Sequence, residues 1–128
     1  MMGEAKKLRM LLPLTLCFAV GPLLARDAGP MAGRWKLQDN VAGIQKERNC
    51  VFTQKGATFA GTCRDADGPV SVAGKVNGDK VSFQFKVDVG GQTLTIACSG
   101  ALKAGSVSGS VVAQPLGIPG DFTLTRPH

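Results

Sequence analysis

Cys50-Val-Phe-Thr-Gln-Lys-Gly-Ala-Thr-Phe-Ala-Gly-Thr-Cys63 reads as two short β-strands joined by a turn at Lys55–Thr58, with a cysteine at each far end. β-Branched and aromatic residues alternate with small or polar ones on both sides of the turn, the period of a half-buried strand. That turn sets Gln54 opposite Phe59, Phe52 opposite Gly61 and Cys50 opposite Cys63. Facing positions lie at the separation a disulfide needs. A Cys50–Cys63 bridge would close a short loop and contribute roughly 3 kcal/mol in the chain-entropy model. Cys98 leaves an odd cysteine in the mature chain, so pairings that use it stand as the alternative.

The rest of the chain repeats this design. After the first 25 residues, no window of roughly 11 or more residues keeps apolar positions at helical spacing. Asn77-Gly78 is a strong hairpin signal, because a type I′ turn needs positive φ at both central residues. That turn would place Val72 opposite Phe83 and Gly74 opposite Val81. Gly90-Gly91 places Val87 opposite Leu94, Phe85 opposite Ile96 and Phe83 opposite Cys98. In both hairpins one face is apolar and the other polar, as in antiparallel strands with one buried side. A short motif recurs at Phe59-Ala-Gly-Thr62, Val72-Ala-Gly-Lys75, Cys98-Ser-Gly-Ala101 and Val107-Ser-Gly-Ser110. Its glycines fall on the inward face and mark bends or close approaches that curve a sheet, the alternative being room for a ligand. Eight strands are expected, over 34–38, 48–54, 58–63, 70–76, 80–89, 92–100, 106–113 and 121–126. Sequential hairpins imply an all-β, eight-stranded antiparallel up-and-down barrel, which removes exposed edges.

The domain assignment is a signal peptide over 1–25, a short linker over 26–32 and the barrel over 33–128. Lys6, Lys7 and Arg9 form a basic start, and Leu11–Ala25 is apolar but broken by Pro13, Gly21 and Pro22. This is a leader pattern and a poor membrane span. An uncleaved anchor or a lipidated Cys17 is the alternative. Export to a periplasmic or secreted location would permit disulfides, with no stable membrane insertion once the leader is cleaved. Losing Glu4, Lys6, Lys7 and Arg9 leaves twelve basic and eight acidic residues, a formal charge of +4. These charges are scattered along the sequence, which argues against nucleic acid as a partner.

Gly33-Arg-Trp35 on the first strand and Phe122-Thr-Leu-Thr-Arg126 on the last resemble the two ends of a calycin-type barrel. In that family an early Gly-x-Trp packs at the closed end beside a basic residue from the final strand. Trp35 and Arg126 would then form a cation–π plug of roughly 0.5 to 2 kcal/mol. Ala60-Gly61-Thr62 and the final strand resemble avidin and streptavidin more particularly. The chain has no Tyr and no Trp besides Trp35, whereas the avidin biotin site uses both types, so biotin is not the expected ligand.

No enzyme, cofactor or metal site is expected. The sole histidine is the terminal His128, so Ser/His and Cys/His chemistry lacks its base. Asp65-Ala-Asp67-Gly68 lacks the other ligands of a calcium loop and reads as a solvated turn. Loop alternation places the turns near 55–58, 77–79 and 102–105 at one end with Trp35 and Arg126. The connections 39–47, 64–69, 90–91 and 114–120 fall at the other, a mouth with three long loops and the Cys50–Cys63 bridge at its rim. By parity, Val70, Val87, Val89, Leu94, Val111 and Phe122 point inward near that mouth, with Asp39, Lys46 and Arg48 as polar candidates. Two functions are expected from this: a small apolar or amphiphilic ligand in the mouth, its acidic head on Arg48 or Lys46, or a protein partner on the 114–120 loop of a filled barrel.

Overall fold

The computed structural model describes residues 29–127; the expected leader, Cys17, residues 26–28 and His128 lie outside them. Eight strands follow one another: β1 (Gly33–Val41), β2 (Ile44–Lys55), β3 (Thr58–Asp65), β4 (Gly68–Asn77), β5 (Lys80–Val89), β6 (Gln92–Lys103), β7 (Ser106–Gln114) and β8 (Ile118–Thr125). Each pairs antiparallel with its sequence neighbour, and β1 pairs with β8, so the sheet is a closed up-and-down barrel. The architecture is compatible with the calycin type. Among the described residues no helix is long and apolar enough to cross a membrane.

The β2–β3 hairpin has the expected register, with Gln54 opposite Phe59, Phe52 opposite Gly61 and Cys50 opposite Cys63. Cys50 and Cys63 are bonded, with Cα atoms 4.0 Å apart, and Cys98 is left as a buried free thiol. The Gly90-Gly91 hairpin also has the expected register, with Phe83 opposite Cys98.

The β4–β5 hairpin is shifted by two residues from expectation: Gly74 faces Phe83 and Val76 faces Val81. Gly78, at φ 64°, takes the first central position of the turn instead of the second. A two-residue shift keeps every side chain on its face. Packing favours this register because a Cβ at Gly74 would lie 2.5 Å from the Phe59 ring and 2.7 Å from Phe83 Cβ. The repeated glycines thus act structurally. Gly100 and Gly109 face each other across β6 and β7, where a Cβ on either would strike the opposite backbone carbonyl, of Ser108 and Ser99 respectively.

The long mouth loops are not present. Strand pairing runs through Asp39–Glu47 and Arg64–Pro69 except at the two-residue turns Ala42-Gly43 and Ala66-Asp67. Only Pro115–Gly117 connects β7 to β8. Ala42 and Gly43 both adopt positive φ, 56° and 80°, the combination a type I′ turn requires. Asp65 Oδ1 accepts the Asp67 N–H at 2.8 Å, closing the second turn by its side chain. Gly117 stands at φ 72° and donates its N–H to Ala113 O at 2.8 Å.

The lower barrel is filled. Phe52, Phe59, Phe83 and Phe122 form a chain of ring contacts with centroids 5.2, 6.3 and 5.2 Å apart. Below them, residues 29–32 of the expected linker are a plug: Met31 is fully buried, its carbonyl accepts Trp35 Nε1–H at 2.9 Å, and its N–H donates to Gln54 Oε1 at 2.8 Å. Arg126 holds this plug by donating to the carbonyls of Pro30, Ala32 and Arg34 at 2.9 to 3.0 Å, with its guanidinium 3.8 Å from the Trp35 ring centroid. The disulfide also lies in this filled interior, both cysteines buried, and not at the rim. Strand parity turned it inward, and the strands continue beyond it to the mouth.

Candidate binding site at the barrel mouth

Above the phenylalanine layer the interior opens into a cavity of about 500 Å³ at the end opposite Arg126. Its apolar wall includes Val41, Val70, Val87, Leu94, Ile96 and Ile118; Asp39, Lys46, Arg48, Asp65 and Asp67 cluster on its polar wall, and Lys86 and Asp88 also line it. Three adjacent strands supply the polar wall. Asp39 is the inward residue two beyond Leu37 on β1, Arg48 two before Cys50 on β2, and Asp65 two beyond Cys63 on β3.

Arg48 is therefore flanked on both sides. Its Nη1 donates to Asp39 Oδ2 at 3.0 Å, its Nε lies 3.4 Å from Asp65 Oδ2, and its guanidinium stands 5.0 Å from the Phe85 ring centroid. Asp39 and Arg48 are 7 % and 6 % exposed, the two charged residues buried with the core among the described residues. Lys46 reaches across the lip to Asp67 Oδ2 at 2.9 Å and Asp65 Oδ2 at 3.7 Å. The hydrogen bond with Asp67 raises the ammonium pKa of Lys46 and lowers that of the Asp67 carboxyl. Burial holds the Asp39 carboxyl above its ordinary value, against the opposing pull of Arg48. The cluster contains three carboxylates and two cations.

Of the residues expected at the mouth, Asp39, Lys46, Arg48, Val87, Val89 and Leu94 line the cavity. Val89 stands on the lip, 57 % exposed. Val111 and Phe122 do not line it. Both are buried in the filled section, where Phe122 packs edge-on against Phe83. Asp65 belongs to the site although the sequence suggested a loop there; parity from Cys63 was the signal that would have found it. The Cys98 thiol is pushed up to about 12 by burial and secondarily by Asp39. A second, shallower depression of about 830 Å³ runs over the outer wall at Thr53, Ala60, Ala73 and Ala97, edged by Lys55 and Lys75. It has no converging charges of opposite sign. No protein-family model matches the chain, and no curated protein matches it.

Proposed function

We propose that this protein is an exported binding barrel, not an enzyme, which holds a small amphiphile in its mouth. The ligand places an amine or other cationic head against the Asp39, Asp65 and Asp67 carboxylates, which outnumber the two cations among them, and an apolar tail along Val41, Val70, Leu94 and Ile118. The observation that carries this reading is an apolar-walled cavity of about 500 Å³ whose ion cluster has one more carboxylate than cation. That volume falls within the range of about 300 to 1,000 Å³ common for small-molecule sites. An acidic head is disfavoured because Arg48 and Lys46 already bind carboxylates, and a new anion would have to compete with them. Export is supported by the Cys50–Cys63 bridge together with the leader-like sequence before it. A calycin-type relationship is supported by the closed barrel and by Trp35 packed under Arg126.

The test is displacement of a neutral fluorescent dye, N-phenyl-1-naphthylamine, by octylamine, octanol and octanoate. Octylamine is expected to displace it at roughly tenfold lower concentration than the other two, the equivalent of about 1.4 kcal/mol. Asp39→Asn should remove that preference while leaving dye uptake intact. Absence of dye uptake by the wild type, with no binding of any of the three compounds by calorimetry, would contradict the reading.

One observation favours a protein partner instead. Ile44, Val89 and Leu116 project exposed from three of the four mouth turns or their flanks. A partner capping the mouth would cover all three. Pull-down with Ile44→Ser/Leu116→Ser should then lose the partner, and equal recovery would remove this alternative.

A further inference from the structure

The charges that look scattered along the sequence are sorted by the fold. Strands alternate in direction, so every second turn lies at the floor. The strand ends there carry Arg34, Lys55, Lys75, Lys80, Lys103 and Arg126, with Asp79 as the one carboxylate among them. The mouth half reverses the balance: Asp39, Glu47, Asp65, Asp67, Asp88 and Asp121 outnumber Lys36, Lys46, Arg48, Arg64 and Lys86 by one. Lys36, Lys46 and Arg48 are in ion pairs, whereas among the described residues Lys55, Lys75, Lys80 and Lys103 have none, as is also true of Arg64 and Lys86. The four floor lysines are exposed.

Register places these four lysines on one arc. Lys55 and Lys75 both face Thr58, so they lie two strand spacings apart, about 10 Å. Lys80 is two residues along β5 from Ser82, the partner of Lys75, and Lys103 is two residues along β6 from Ala101, the partner of Lys80. Each of those steps is about 8 Å. Such spacings are comparable to the Debye length of about 8 to 10 Å near physiological salt, so the four act on an approaching anion together. The floor is also where the chain enters the barrel, because Gly29–Ala32 lie under Trp35 and Arg126. The apolar stretch Leu11–Ala25, with Lys6, Lys7 and Arg9 before it, is joined to the barrel at this end and not at the mouth.

We propose that the floor, through Lys55, Lys75, Lys80 and Lys103, docks on an anionic lipid surface, leaving the mouth directed away from it. Two independent features converge on that occupant: four exposed cations on one arc with a single carboxylate among them, and a leader-like segment that precedes the barrel at the same end and would bring this end to the membrane before cleavage. A lysine close to an anionic bilayer strengthens partition by about fivefold. Four on one arc are sufficient for reversible docking without any inserted residue. This proposal is independent of what the mouth binds.

The test uses the chain from Arg26 onward, which retains every described residue; the buried core lies wholly within Met31–Leu124. Cosedimentation is measured with vesicles of phosphatidylcholine alone and of equal parts phosphatidylglycerol and phosphatidylcholine. The barrel is expected to partition onto the anionic vesicles and to leave them as salt rises. K55Q/K75Q/K80Q/K103Q should reduce partition at least roughly 30-fold. Substituting the same four by arginine should preserve it, and K86Q at the mouth should leave it unchanged. Thermal melts matching the wild type exclude unfolding as the cause. Equal partition onto neutral vesicles, wild-type partition by the glutamine variant, or retention on heparin without any vesicle binding would each overturn the proposal.

Discussion

Arg48→Met isolates the interaction on which the mouth depends. Methionine keeps the apolar stem against Phe85 but removes every donor, leaving Asp39 and Asp65 beside each other without the cation between them. Asp39 is only 7 % exposed, so solvation replaces little of the lost partner. Removing one member of a buried pair costs about 3 to 5 kcal/mol, and that range is expected at pH 7.5. The pH dependence follows from the Asp39 carboxyl. Its folded pKa already lies above the ordinary 3.8 because of burial. The folded state therefore binds this proton more readily than the unfolded chain, and the stability tied to that proton is lost as pH rises from 3.8 through the folded value. Removing Arg48 takes away the cation and hydrogen bond that lower the folded pKa, which widens the window upward. The deficit of Arg48→Met should accordingly shrink by about 1 kcal/mol or more between pH 7.5 and pH 5. Adding Asp39→Asn should recover part of the loss at pH 7.5, since no charge is then left unpaired at position 39. Urea denaturation followed by the fluorescence of Trp35, the single tryptophan, gives each value. A variant within about 0.5 kcal/mol of wild type at pH 7.5, or a deficit that grows on acidification, would refute the reasoning.

Three other outcomes follow from the same contacts. Cys63→Ala should lower stability by roughly 3 kcal/mol relative to the oxidised wild type, and reductant should reproduce the loss in the wild type alone. Arg126→Ala removes three carbonyl bonds and the stack on Trp35, so a loss of about 2 kcal/mol is expected, with faster amide exchange confined first to residues 29–35. Cys98, its thiol pushed up to about 12 within the core, should resist a thiol reagent at pH 8 in the native state and react fully in urea.

Strand parity carried most of the fold. Cys50, Phe52, Phe83, Phe85 and Ile96 could be assigned inward because alternation in a closed barrel has one apolar side. Registers were legible where the turn was unambiguous, as at Gly90-Gly91. Between Asn77 and Asp79 two adjacent placements keep the same parity, and only the steric demand of Phe59 and Phe83 for a glycine opposite selects one. The mouth was harder to read because its charged residues imitate loops. Asp39, Lys46, Arg48 and Asp65 lower the hydropathy of strand ends that stay paired, since the charges satisfy one another across three strands. The floor lysines were visible in the sequence, but spread over nearly fifty residues. They gather only once turn alternation brings their strand ends to one side.

An amide-resolved titration of the protein with octylamine tests the binding site directly. The account predicts saturable shifts at Val41, Val70, Leu94 and Ile118, with Asp39→Asn abolishing them at the same concentrations. Shifts confined to the outer wall around Ala60 and Ala73, or identical shifts from octanoate, would contradict a mouth that selects a cationic head.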